Sequence, residues 1–369
     1  MRVAIFIPSY GDGGVERMLV NLAGGLAARG IEVDFLTRTR SAPYLDRLDP
    51  AVRFVTTPAG DLSTLAWAWR YLRQRRPDIV LCGKDRAGQQ IATARRLGGG
   101  HFKLVMRPGT TYSQRFAELS PWSRWRAKRR VRRVYGAADA VVGNAQAVVD
   151  DVALAAGLPA GRVHLIRNPV VTPDLLEQAA KPAMLPGFAD GDPPVVLAVG
   201  RLAQVKGFDV LVRAFAQVRA RRALHLVILG EGRLRGALEQ LASELGIADD
   251  LFMPGFEPNP YPYLARAALF VLSSRREGSP NALTEALALG TPVVSTDCPS
   301  GPHEVLDGGR VAPLVPVDDV DALATAMDAV LDAPGDPDAR REAVSAYRVE
   351  QCAERYHALF KQLLQADPA

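Results

Sequence analysis

At 369 residues, with 48% hydrophobic and 23% charged side chains, the chain has the composition of a soluble globular protein and the length for two domains, each with its own core. No apolar run approaches the ~18 residues that span a bilayer, and three widely spaced cysteines, Cys82, Cys298 and Cys352, form neither a disulfide framework nor a zinc cluster, which leaves buried thiols. The net charge of +5 conceals an asymmetry: residues 1–168 carry 27 Lys and Arg against 13 Asp and Glu, residues 169–369 carry 18 against 27, and the first half is expected to face a membrane surface, a phosphorylated acceptor or nucleic acid.

The opening run Met1 to Pro8 reads as a buried strand rather than a signal peptide, because it is short and no small-residue cleavage site follows; the expected location is the cytosol. A strand over 3–7 leads through a glycine turn into a helix whose Met18, Leu19, Leu22, Ala23 and Leu26 share one face and which stops at Gly30. Further strands are predicted over 31–37, 79–82, 103–106, 140–142 and 163–166, the alternation of a parallel sheet with crossover helices. Residues 169–194, rich in Pro, Ala, Gly and Asp, read as a linker between a first domain, 1–168, and a second, 195–337. The second repeats the pattern with strands over 195–199, 224–229, 251–253, 269–272 and 292–295, and a helical segment, 338–369, is expected to cross back to the first domain. The fold class is α/β: two Rossmann-like doubly wound domains in tandem, facing across a cleft.

The chemistry concentrates between Ser274 and Pro292. Ser279 is expected as N-cap with Pro280 at the first helical position, and Gly290 and Pro292 end the helix before the next strand. The helix N-terminus then points at the carboxyl edge of the sheet, where unpaired backbone N–H groups and the helix dipole favour an anion. Glu277 lies in the loop and Glu285 about two turns later; carboxylates accept hydrogen bonds from hydroxyls, so the pair suits sugar rings, although Glu285 alone would also fit a helix surface.

These residues resemble glycosyltransferase family 4, the retaining enzymes of GT-B fold also described as glycosyl transferases group 1. The family signature is two glutamates separated by seven residues, matched by Glu277 and Glu285 within Glu277-Gly278-Ser279-Pro280-Asn281-Ala282-Leu283 and the Ala286 to Val294 run that follows. The resemblance assigns the donor sugar to Glu277 and the nucleotide ribose to Glu285. The turn Gly200-Arg201-Leu202 to Lys206-Gly207 is similar to a second family block and implies that Arg201 and Lys206 neutralise the leaving diphosphate. By the same analogy Gly13 and Gly14 let the first domain's backbone approach the donor, and Gly255 and Phe256 lie where the base sits. The family's histidine on the loop after the predicted 103–106 strand has no counterpart: the loop reads Arg107-Pro108-Gly109-Thr110-Thr111, so either Arg107 or Thr110 serves the acceptor side or the chemistry rests wholly on the donor half.

The resemblance implies front-face displacement with retention from a nucleotide-diphosphate sugar, UDP by family analogy, carrying a hexose or N-acetylhexosamine to a glycan or lipid-linked acceptor. It requires no cofactor and no metal, since Arg201, Lys206 and helix N-termini supply the positive charge. Seven basic residues fall in the ten from Arg124 to Arg133, behind Trp122 and Trp125. With Ala127, Val131, Val134, Tyr135 and Ala138 turned inward, Arg126, Arg129, Arg130 and Arg133 form an outer face suited to the anionic inner leaflet, to a phosphorylated acceptor, or merely to solvent. The expected setting is bacterial surface polysaccharide, lipopolysaccharide or exopolysaccharide synthesis, by a monomer or weak dimer peripheral to the cytoplasmic membrane. Competing readings are a noncatalytic nucleotide-sugar-binding protein and a nonhydrolysing sugar-nucleotide epimerase. A dehydrogenase is disfavoured because Glu16 breaks Gly-x-Gly-x-x-Gly after Gly11 and Gly13, and nucleic acid because no recognition motif accompanies the basic run.

Overall fold

The computed structural model describes residues 1–366 except 12, 40, 41, 118, 186 and 190, so the expected C-terminal segment 338–369 is described as far as residue 366. The chain divides into two compact units, Met1–Val170 with Val349–Ala369, and Val171–Arg348.

The first unit is built on seven parallel strands, β1 (Arg2–Phe6), β2 (Glu32–Thr37), β3 (Arg53–Thr56), β4 (Ile79–Cys82), β5 (Lys103–Met106), β6 (Ala140–Gly143) and β7 (Val163–Leu165), in the order β3-β2-β1-β4-β5-β6-β7. Alternation along β1 explains the two covered faces. Val3 and Ile5 pack with Met18, Leu22 and Leu26 and with Cys352, Tyr356 and Phe360 of the last helix. Ala4 and Phe6 pack with Tyr71, Leu72, Ile91 and Tyr135. Each large apolar side chain so buried contributes about 1.5–3 kcal/mol.

The second unit carries β8 (Val195–Val199), β9 (His225–Leu229), β10 (Leu251–Gly255), β11 (Leu269–Leu272), β12 (Val293–Thr296) and β13 (Leu314–Val315), all parallel, in the order β10-β9-β8-β11-β12-β13. Helices Phe208–Arg219 and Val320–Asp332 cover the face of Val196 and Ala198. Helices Tyr261–Arg266 and Asn281–Leu289 pack on the opposite face. In each sheet the order reverses beside the first strand, the switch point at which doubly wound folds place ligands.

Four expectations change. Strands β3 and β13 are additional: β3 is an edge strand with only two apolar residues in four, and β13 has two residues, too few for a periodic signal. The stretch 169–194 is not a free linker, because from Val171 it belongs to the second unit, where Leu175 and Ala179 of the helix Leu175–Ala179 are buried. The segment 338–369 is not one piece. Helix Pro337–Ala343 stays with the second unit, its Arg340 donating to the Gly290 carbonyl at 3.0 and 2.8 Å and so capping the C-terminus of Asn281–Leu289. Helix Val349–Gln365 belongs to the first unit, where its apolar stripe finds cover.

All three cysteines are free and buried. Burial pushes the Cys298 and Cys352 thiols up to about 12 and raises that of Cys82 as well. A disulfide-exchange reagent at pH 8 is therefore expected to label none of them in the native protein and all three in denaturant; rapid native labelling would contradict the packing.

Candidate functional site

In the second unit two loops meet at the carboxyl ends of the adjacent strands β8 and β11. The approach is set by the backbone. Gly207 has φ +62°, and a Cβ there would stand 2.1 Å from the Ser273 carbonyl oxygen, so only glycine fits. Ser273 Oγ donates to the Lys206 carbonyl at 2.9 Å and the Arg275 N–H to that of Val205 at 2.8 Å. With the loops locked, Lys206 Nζ donates to Glu277 Oε1 at 2.6 Å and Ser274 Oγ donates to the same oxygen at 2.7 Å. The Lys206 and Glu277 side chains are 24% and 12% exposed, enough to be reached and little enough that solvent does not screen them away.

Glu277 leads into the helix Asn281–Leu289, which begins one residue later than the sequence implies. Pro280 occupies the N-cap position and Ser279 does not cap; its hydroxyl is buried without a hydrogen bond. The cause is tertiary. The loop after β12 packs so tightly on this turn that a Cβ on Gly301 would lie 2.4 Å from Pro280 Cδ and 2.7 Å from the Gly278 carbonyl oxygen. Beside it Ser300 Oγ donates to the carbonyl of Glu277 and, at 3.4 Å, to that of Gly278. Ser300 holds φ +84° and ψ −110°, a conformation that side chains rarely adopt.

Arg201 is exposed in the turn after β8, and Gly278, Asn281, Ala282 and Leu283 lie in the loop and first turn of Asn281–Leu289. Glu285 is fully buried, which rules out the helix-surface reading; a ribose contact there needs the packing above it to part. Gly255 ends β10 at φ +105°, and Phe256 next to it is 40% exposed. Sequence reasoning assigned no role to Ser274 or Ser300, because single hydroxyls carry no periodic signal.

In the first unit Gly13 is the N-cap position of the helix Gly14–Ala27, and it supplies no side-chain cap. Buried Glu16 accepts from the Gly11 N–H at 3.1 Å and from Lys84 Nζ at 2.6 Å. Arg107, just after β5, is 2% exposed, whereas Thr110 is exposed. Burial lowers the Arg107 pKa from its ordinary value.

Helix Pro121–Gly136 buries Val131, Val134 and Tyr135 and turns Arg126, Arg129, Arg130 and Arg133 to solvent. Trp122 and Trp125 are 66% and 56% exposed, with the Arg126 guanidinium 4.7 Å from the Trp122 ring centroid and Arg129 5.4 Å from that of Trp125. A cavity of about 460 Å³ lined by Arg95, Arg96, Lys103 and Arg162 opens at the amino-terminal ends of β5 and β6, away from the loops described above. Its Arg95 bonds Asp139 at 2.5 Å and Arg162 bonds the Ala138 carbonyl, so both serve the local turns.

Replacing Ser300 separates strain from hydrogen bonding. Ser300→Gly and Ser300→Ala both lose the hydroxyl, but only glycine relieves the backbone, so the glycine variant is expected to be the more stable by about 1–3 kcal/mol in denaturant titration. Equal stabilities would show that the turn is relaxed.

Residues 12–173 match Glycosyltransferase Family 4 and residues 193–333 match Glycosyl transferases group 1. The chain is 27% identical over 345 residues, 90% of each protein, to the N-acetylgalactosamine-N,N'-diacetylbacillosaminyl-diphospho-undecaprenol 4-alpha-N-acetylgalactosaminyltransferase of Campylobacter jejuni. It is 28% identical over 326 residues, 87% of this chain and 86% of its relative, to the lipopolysaccharide core biosynthesis glycosyltransferase LpsE of Rhizobium meliloti. Its fold matches sucrose-phosphate synthase from Thermosynechococcus elongatus with TM-score 0.80 at 21% identity, covering 99% of this chain and 100% of that one. Anabaena HepE in complex with UDP and glucose matches with TM-score 0.77 at 18% identity, covering 98% and 100%. With both halves matched and two doubly wound units in place, the chain belongs to the family 4 glycosyltransferases of group 1 and has the GT-B fold.

Proposed function

We propose that the protein is a retaining glycosyltransferase that moves a hexose or N-acetylhexosamine from a UDP-sugar to a glycan or lipid-linked acceptor in bacterial surface polysaccharide, lipopolysaccharide or exopolysaccharide synthesis. The observation that carries this reading is the 2.6 Å contact of Lys206 and Glu277 at the carboxyl edge of the second sheet, beside the N-terminus of Asn281–Leu289. The names of the relatives support the acceptor class: one acts on a diphospho-undecaprenol-linked sugar and another in lipopolysaccharide core biosynthesis.

In the proposed reaction an acceptor hydroxyl oxygen bonds to sugar C1 on the face from which the diphosphate departs. The C1–O bond to the β-phosphate breaks and the hydroxyl proton passes to a phosphate oxygen, so configuration is retained without an enzyme-bound intermediate. Lys206, Arg201 and the helix N-terminus stabilise charge that grows on the leaving diphosphate, which makes a metal unnecessary. The unmatched Ser279 hydroxyl supplies a further donor to the same oxygens. Glu277 accepts from sugar hydroxyls, Glu285 from the ribose, and the exposed Phe256 ring offers a surface for the base.

The basic outer face of Pro121–Gly136 fits a peripheral place on the inner leaflet. Arginines near anionic lipid contribute about 1 kcal/mol each, and the two exposed tryptophans suit the headgroup region. Among the described residues no helix is long and apolar enough to cross a membrane.

Lys206→Ala and Glu277→Gln are each expected to lower kcat by about 100-fold or more, judged from the size of preorganised electrostatic effects, while the folded state survives. The assay is sugar transfer from UDP-, GDP- and ADP-sugars with detergent-solubilised lipid-linked acceptors, with UDP-sugars preferred; rates close to wild type in either variant remove that residue from the site. In flotation, the protein should rise with phosphatidylglycerol vesicles and not with phosphatidylcholine vesicles. Substituting Arg126, Arg129, Arg130 and Arg133 by Gln together should abolish the difference, and equal flotation with both lipids defeats the membrane assignment.

A further inference from the structure

The carboxyl edge of the first sheet holds a buried positive charge, Arg107, with no counter-charge among the described residues. Arg107 donates through Nη2 to Asn168 Oδ1, while its Nη1 is buried and makes no hydrogen bond. The Tyr356 hydroxyl lies against the guanidinium and favours its charged form, but as a neutral group it brings no counter-charge. No carboxylate pairs with Arg107 among the described residues. Among the described residues, three acids of this unit bond elsewhere: Glu16 to Lys84, Asp85 to the Tyr112 and Tyr135 hydroxyls at 2.7 Å each, and Asp151 to the N–H groups of Tyr112 and Ser113. An ionised guanidinium taken from water without an anion is strongly unfavourable, so its persistence asks for an explanation.

A further observation points to a ligand. Gly109, two residues beyond Arg107, is half-buried and leaves the approach open. A Cβ there would meet only Val15 at 3.8 Å and Arg107 Nη1 at 4.0 Å, so a small group arriving over the glycine comes within reach of the unmatched nitrogen.

We propose that Arg107 is an anion receptor on the first unit that binds phosphate or carboxylate oxygens carried by the acceptor. A neutral hydroxyl would satisfy one hydrogen bond and leave the charge uncompensated; only an anion does both. This rests on the reading that the first unit receives the acceptor. The same anionic oxygens exist in the donor's diphosphate, and the experiment separates the two sources.

Thermal denaturation of the full chain is followed with inorganic pyrophosphate and, separately, with UDP. In Lys206→Ala, where the donor side is impaired, pyrophosphate is expected still to raise the melting temperature, and adding Arg107→Gln should remove that rise. In Arg107→Gln alone the UDP-induced rise should remain. Should the glutamine variant fail to fold, Arg107→Lys keeps the charge without the planar fork and is expected to bind pyrophosphate about 10-fold more weakly. A pyrophosphate response that is absent in Lys206→Ala, or that survives the Arg107 substitutions unchanged, overturns the proposal. Loss of the UDP response with Arg107→Gln assigns the anion to the donor and overturns the acceptor assignment. Failure of the transferase reading looks different: no response of the wild type to UDP, GDP or ADP.

Discussion

The contact between Lys206 and Glu277 depends on backbone before it depends on charge. Two loops from adjacent strands come together because Gly207 lets its neighbours lie against the Ser273 carbonyl, and the ammonium and the carboxylate are then delivered to a separation of 2.6 Å. An exposed Lys–Glu pair contributes little to stability. This one is largely shielded, its carboxylate is also held by Ser274, and the carbonyl of the same glutamate is held by Ser300. The acid and the base are thus held in place before any ligand arrives, which is what the proposed reaction asks of them.

Parallel sheets gather helix N-termini at their carboxyl edge, and each unit answers that concentration of positive potential in its own way. In the first, Glu16 places an internal anion in the first turn of the first helix, and Lys84 pairs with it. In the second, the helix that follows Glu277 has a proline at its N-cap position and, before it, a buried serine hydroxyl without a hydrogen bond. Arg107 stands apart from both, since its charge is buried without an acid partner among the described residues.

Much of the fold is legible because buried parallel strands are short continuous apolar runs, as in 79–82, 195–199 and 269–272, bounded by turn residues. The seven-residue spacing of Glu277 and Glu285 and the density of arginine from 124 to 133 are local features too, visible without coordinates. Strand β3 escapes because an edge strand covered on few sides needs few apolar residues, and Leu175 and Ala179 hide in a stretch whose composition is otherwise that of a loop.

The amino-acid order by itself determined which segments alternate as strand and helix, which family the chain resembles and which charged residues crowd one helix, because these are properties of neighbours along the chain. Tertiary structure alone decided that Ser279 does not cap its helix, that Ser300 braces Glu277, that Glu285 is buried, and that Arg107 has no carboxylate partner among the described residues. Those facts are set by groups tens of residues apart in sequence, and only close packing brings them within the few ångströms over which hydrogen bonds and burial act.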